Sequence, residues 1–322
     1  MKKFIFQLFA FFLFSSLIYI IGVGILGSIF PKGEVSNIIY KKGFNGHLYS
    51  RINEIDKYDE VDILFLGSSH AYRGFDTRIF KAEGYSSFNL GSSAQTPLQT
   101  YTLVSKYLED LEPKIVIFEV YPGTFVSDGV ESSLDLIAND EITSETIDMV
   151  LATNHIKTYN SLIVGMFDRL FIDLGIKEIY EENHIKGKDL YVSGGFVERN
   201  NEKTSKVVSN LEGGDWKYRK QNLNYFEKIL EKLEEKGLKI YLVFAPITKE
   251  RLSKIENKKE IDQLMIEYEN KFKKTKYIDF SSLNFLKDDQ EFYDLHHLNQ
   301  NGVIKFNKFF IQKLKSDLFL VN

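Results

Sequence analysis

Gly67-Ser68-Ser69-His70 and Tyr293-Asp294-Leu295-His296-His297-Leu298-Asn299 are the two segments whose side chains, brought together, could carry out acyl transfer. A serine hydroxyl is a weak nucleophile until an imidazole takes its proton, and a carboxylate must hold that imidazole in the right tautomer. Asp294 and His297 are three positions apart, so a helical turn would place them on one side. Ser69 follows a short apolar run and Gly67; at a strand-to-helix turn its hydroxyl can be exposed while its own N–H faces an oxyanion. Each segment also has a plainer reading. Ser69 could simply cap a helix, and the second segment could be a solvated loop whose Asn299 caps the final helix. If the two act together, Ser69 and His297 should lie within hydrogen-bond reach.

Other chemistry is poorly supplied. The chain has no cysteine, which excludes disulfides, thiolate zinc sites and a cysteine nucleophile. His70, Asp294 and His297 are the three residues that could converge on a metal. No metal-spacing motif accompanies them, so neither a metal nor another cofactor is expected. A formal charge of −4 offers no basic surface for nucleic acid. His70, next to the serine, and Tyr121 are candidate substrate contacts. Tyr101, Tyr121 and Trp216 could stack on sugars, although with 14% aromatic residues most rings must be core.

The elements that would position these groups read as alternating strands and helices. Val61–Leu66, Ser86–Leu90, Lys114–Val120 and Leu238–Ala245 are short apolar runs typical of buried parallel strands, with a further strand at Tyr277–Phe280. Helices are expected at 76–84, from Pro97 to Leu111, at 218–236, 249–273 and 302–318. The pattern implies βαβ units, hence a flavodoxin-like three-layer α/β/α domain with a parallel sheet over residues 61–322. Ligands bind outside the carboxyl ends of such strands, which is where Ser69 stands. The stretch from about 123 to 215 lacks strong strand signals. It reads as a helical insertion or lid, with helices near 144–151 and 160–181 and glycine pairs at 194–195 and 213–214.

Lys2 and Lys3 precede an uncharged run from Phe4 to Phe30, long enough to cross a hydrocarbon core of roughly 30 Å. A signal peptide has a shorter apolar region and a small-x-small cleavage site, which is not evident before Pro31. Residues 1–31 are therefore expected to be a retained transmembrane anchor, followed by a juxtamembrane connector over 32–60. The flanking lysines nearly balance. A lone N-terminal anchor before a long domain favours a cytoplasmic N-terminus and an extracytoplasmic domain.

The combination of a serine after the first strand and Asp-x-x-His before the last helix resembles the SGNH (GDSL-like) hydrolase superfamily. The resemblance covers about residues 61–125 and 218–318. It makes Gly67-Ser68-Ser69 the first block, with Ser69 the nucleophile, and Asp294 and His297 the last. Asn89-Leu90-Gly91-Ser92 matches the second block, so Gly91 would join Ser69 as an oxyanion donor, with Asn89 beside the substrate. The third block, Gly-x-Asn-Asp, is absent: Glu119-Val120-Tyr121-Pro122 stands in its place. With the anchor and the insertion, the chain looks more like the membrane-bound relatives that modify surface polymers, of the D-alanyl-transfer (DltD) and alginate-acetylation (AlgJ and AlgX) kind. The resemblance implies an extracytoplasmic O-acyltransferase or esterase acting on acyl groups, acetyl above all, of a glycan. A multispanning membrane acyltransferase is the implied partner. The alternative is a catalytically silent glycan-binding or assembly protein on the same fold.

Overall fold

The computed structural model describes residues 1–29, 35–199 and 214–316. Phe30 and Pro31 at the end of the apolar run, Gly213, and residues 317–318 of the expected last helix lie outside these segments.

Five strands form the central sheet: β1 (Ile63–Leu66), β2 (Ser87–Asn89), β3 (Ile115–Glu119), and, after three insertion strands, β7 (Lys239–Phe244) and β8 (Thr275–Asp279). Their order is β2-β1-β3-β7-β8 and every pairing is parallel. Counted within this sheet it is the doubly wound 2-1-3-4-5 order, with the switch point beside β1. Side chains alternate between two cores. Leu64, Leu66, Val116, Phe118, Ile240 and Leu242 face one; Ile63, Phe65, Ile115, Ile117, Tyr241 and Val243 face the other. Both faces are thus covered, which is why these strands read as unbroken apolar runs.

The helices Pro97–Leu111, Lys220–Glu235 and Lys258–Lys271 supply the first layer, through Leu103, Leu108, Phe226, Leu230 and Met265. Thr77–Ala82 and Gln300–Ser316 supply the second, where Phe75, Phe80, Phe306 and Phe310 pack ring against ring. The helix expected over 249–273 is broken into Lys249–Leu252 and Lys258–Lys271.

The insertion departs from the all-helical expectation. It holds the helices Val130–Asn139, Ser144–Thr153 and Ile156–Asp173, and then an antiparallel sheet of β4 (Ile185–Lys186), β5 (Asp189–Val192) and β6 (Phe196–Arg199). The β5–β6 hairpin turns through Gly194 and Gly195 and abuts the end of β2, where Asn89 N–H donates to the Gly194 carbonyl at 2.9 Å. Strands of only two to four residues, each carrying at least one charged residue, give too little apolar signal to be seen in the sequence.

The segment before β1 is packed into the domain. Leu48, Ile52 and Ile55 are buried, and the fully buried Arg51 donates to the carbonyls of Gly46, Gly91 and Gly195. It thereby ties connector, β2 loop and insertion together.

Candidate active site

β1 ends at Leu66, and Gly67, at φ +132°, turns the chain into the short helix Ser69–Gly74. A Cβ at Gly67 would meet the Glu119 Cβ at 2.8 Å and its carbonyl at 2.9 Å, so both conformation and space require glycine. The helix is capped by Ser68, whose Oγ accepts from His70 N–H at 3.3 Å. Capping therefore does not occupy Ser69, which is part-buried with its hydroxyl 2.7 Å from His297 Nε2.

The second segment is an irregular loop between β8 and the last helix, not the helical turn expected of it. Asp294 Oδ1 accepts the N–H groups of His296 (2.9 Å) and His297 (2.8 Å), while Oδ2 lies 2.8 Å from His297 Nδ1. One carboxylate thus closes the bend and holds the imidazole. Burial opposes the Asp294 charge, but the hydrogen bond and charge of His297 hold the carboxyl well below its usual range. The loop is fixed at both ends. Thr248 after β7 donates from Oγ1 to the Leu295 carbonyl at 2.6 Å, and Asn299 Oδ1 accepts Gly302 N–H at 3.0 Å. Asn299 thus caps the last helix, and this plainer role coexists with the loop's other geometry.

A second set of polar groups lies directly behind. His70 is buried, with Nδ1 3.1 Å from Ser68 Oγ and Nε2 3.1 Å from His296 Nδ1. Ser68 Oγ in turn lies 3.1 Å from Glu119 Oε2, and Glu119 Oε1 has no hydrogen-bond partner among the described residues. Burial pushes the Glu119 carboxyl up to about 8. Burial and the neighbouring His297 push His296 down to about 3, and the same two causes take His70 well below the usual imidazole range. Tyr121 closes this side, stacked on His70 at 4.1 Å and accepting from Arg251 Nε at 2.9 Å, with Trp216 edge-on at 5.6 Å.

The structure brings Ser69, Asp294 and His297 together but treats the other expected site residues differently. Both nitrogens of His70 face protein groups, so none is left for substrate. Asn89 is fully buried, donating to the Ala71 carbonyl at 2.8 Å and accepting Gly91 N–H at 2.9 Å. That bond also engages the Gly91 N–H expected to serve an oxyanion. Gly91 is nevertheless needed at its place, since a Cβ there would come within 2.9 Å of the Ser68 carbonyl. Tyr121 is buried with its hydroxyl on Arg251.

His70, His296 and His297 each offer a ring nitrogen within 4.8 Å of the others, the grouping that could hold a metal ion. His297 Nε2 faces Ser69 and His70 Nε2 faces His296 Nδ1 at hydrogen-bonding distance, so these nitrogens have protein partners, whereas His296 Nε2 has none among the described residues.

Residues that the sequence did not single out complete the wall. Tyr293 stacks on His297 at 5.4 Å, and Arg199 lies over the other part of that wall, 4.6 Å from the Tyr293 ring. Arg73 holds Asp189 of β5 through two hydrogen bonds of 3.0 and 2.7 Å. The small antiparallel sheet therefore braces the site.

No family profile and no curated protein matches the chain. Among solved structures it is similar to a GDSL-like lipase from Bacteroides thetaiotaomicron, at 13% identity and TM-score 0.38, over 84% of this chain and 98% of that one. It is also similar to a candidate acylhydrolase from Bacteroides fragilis, at 12% identity and TM-score 0.37, over 85% and 95% of the two chains. A third, described as a candidate platelet activating factor from Streptococcus pneumoniae, shows 11% identity and TM-score 0.42 over 83% and 94%. At such identities and overlaps the likeness transfers neither a substrate nor a residue role to this chain.

Proposed function

We propose that the chain is a serine acyltransferase or esterase of the SGNH type, anchored in a membrane and acting on O-acyl groups of an extracytoplasmic glycan. The observation that carries this reading is the continuous contact from Asp294 through His297 to Ser69, at 2.8 and 2.7 Å. In it, His297 Nε2 takes the Ser69 proton as Oγ attacks the acyl carbonyl, and Asp294 stabilises the imidazolium that forms. The free Ser69 N–H at the helix start faces the developing oxyanion. The acyl group then passes to a sugar hydroxyl or to water. Trp216, with Arg251 4.7 Å from its ring, forms an aromatic, cationic surface suited to a polyhydroxylated acceptor.

The anchor is supported by the helix Lys2–Ile29, which contains an 18-residue stretch of mean hydropathy 2.4 and whose surface is almost wholly exposed. At 1.5 Å per residue it is about 40 Å long, more than a hydrocarbon core requires. Its last turns rest on the insertion: Tyr19 donates to Asn160 Oδ1 at 2.7 Å, and Gly24 and Gly27 lie against Phe167 and Val164. A helix integrated in this way favours retention over cleavage. We assign the N-terminus to the cytoplasm and the domain to the outside, with a multispanning acyltransferase as the source of acyl groups.

A second reading, a silent glycan-binding protein, draws on the engaged Gly91 N–H and the missing asparagine donor after β3. One experiment separates the two. A fluorophosphonate should label the wild type, with labelling lost in Ser69→Ala and strongly slowed in His297→Ala. A folded wild-type protein that never labels would favour the silent protein.

A further inference from the structure

Behind the Ser69–His297–Asp294 line runs the separate chain Glu119–Ser68–His70–His296, which that line does not use. Its three contacts are 3.1 Å each, between Glu119 Oε2 and Ser68 Oγ, Ser68 Oγ and His70 Nδ1, and His70 Nε2 and His296 Nδ1. The inner end is buried and closed. The outer end is part-buried, and His296 Nε2 has no hydrogen-bond partner among the described residues. The His296 and His297 rings are 4.0 Å apart, which sets the His296 ring beside the imidazole that faces Ser69. Arg251, Asp294 and His297 are the charged or titratable groups facing it, together with Tyr121.

We propose that Glu119, Ser68, His70 and His296 form a second proton relay, whose open end at His296 Nε2 exchanges protons with the group leaving or attacking the acyl carbon. This rests on Ser69 being the nucleophile. Every member of the chain can both donate and accept, and each is neutral when Glu119 carries a proton. In that state the order runs outward. Glu119 O–H donates to Ser68 Oγ, Ser68 O–H to His70 Nδ1, His70 Nε2–H to His296 Nδ1, and His296 Nε2–H is left facing the site. The raised Glu119 carboxyl favours this order at neutral pH.

During acylation the Ser69 O–H bond breaks, its proton goes to His297 Nε2, and Oγ bonds to the acyl carbon. The bond from that carbon to the leaving oxygen breaks with its electron pair, and the oxygen takes the proton of His296 Nε2. One proton then shifts at each link, leaving Glu119 as the carboxylate. In the transfer step the acceptor oxygen bonds to the acyl carbon and its proton enters at His296 Nε2, returning along the chain to Glu119. The Oγ–acyl bond breaks and Ser69 recovers its proton from His297. Protons and charge return to the starting state. His297 thus serves Ser69 alone, and His296 serves the other two oxygens.

The test is the dependence of kcat/KM on the leaving group, across acetate esters from p-nitrophenyl to simple alkyl, in the full-length protein. A nitrophenolate departs without a proton, whereas an alkoxide needs one. Glu119→Gln, Ser68→Ala and His296→Gln should each lose about 10²-fold or more on alkyl acetates and least on p-nitrophenyl acetate. The Glu119→Gln/His296→Gln double variant should be no worse than His296→Gln alone, because both interrupt one path. A loss equal for all esters would mean a structural role and overturn the relay, as would wild-type behaviour of both Glu119→Gln and Ser68→Ala. Persistence of the p-nitrophenyl acetate burst in Ser69→Ala would instead overturn the nucleophile on which the relay rests.

Discussion

The ring of Tyr293 lies parallel to that of His297, 5.4 Å away with only 2° between the planes. Arg199 and Arg73 approach the same tyrosine at 4.6 and 5.9 Å, and both also bind Asp189 of the insertion. The imidazole is therefore held at Nδ1 by Asp294 and on its face by a ring that the insertion props up. Tyr293→Phe should retain most activity, because stacking survives. Tyr293→Ala should lower kcat by roughly 10–100-fold by loosening the imidazole. Steady-state kinetics on an activated acetyl ester would check this, and equal activity in the two variants would refute it.

Gly91 faces the Ser68 carbonyl so closely that a methyl group would come within 2.9 Å of it. Gly91→Ala must displace either the β2 loop or the Gly67–Ser69 turn. A loss of about 1–3 kcal/mol in stability is expected, with a further loss of turnover from the shifted serine. Urea unfolding alongside ester kinetics reads both; an unchanged midpoint would show that the turn is looser than described.

Glu119 is buried with its carboxyl raised to about 8 from an ordinary 4.5. Between those values the folded protein binds more protons at this site than the unfolded chain, so the contribution to stability falls as pH rises. Glu119→Gln removes that slope. Relative to the wild type, the variant should gain stability from pH 5 to pH 8, by an amount on the order of a few kcal/mol. The depressed Asp294 titrates below this window and leaves the difference untouched. Paired denaturant titrations at the two pH values would measure it.

The topology assignment predicts that protease added to intact spheroplasts or protoplasts digests the domain while leaving the Lys2–Ile29 segment membrane-bound. Complete protection until lysis would place the domain on the cytoplasmic side.

Much of the frame was legible because its signals are local. Val61–Leu66 and Lys114–Val120 are buried on both faces and read directly as parallel strands, and Pro97 marks the start of its helix. The helices at 144–153 and 156–173 were visible in outline, but the one at 130–139 was not. Ser69 and His297, 228 positions apart, could be paired only because each stood in a distinctive polar block at a strand end or before a helix. What the sequence concealed is mostly long-range and polar. Arg51 bonds carbonyls as far away as Gly195, and the contact of Ser68 with Glu119 depends on how β1 and β3 align. No periodicity announces such partners. His70 and Asn89 looked available for substrate because burial of a polar side chain cannot be read from its type.

The most direct test of the account is mass spectrometry of the protein quenched during turnover of p-nitrophenyl acetate. The account predicts a mass increase of one acetyl group, mapped to Ser69, formed in the wild type and absent in Ser69→Ala. Acetylation mapped to any other residue, or turnover by folded Ser69→Ala at the wild-type rate, would contradict it.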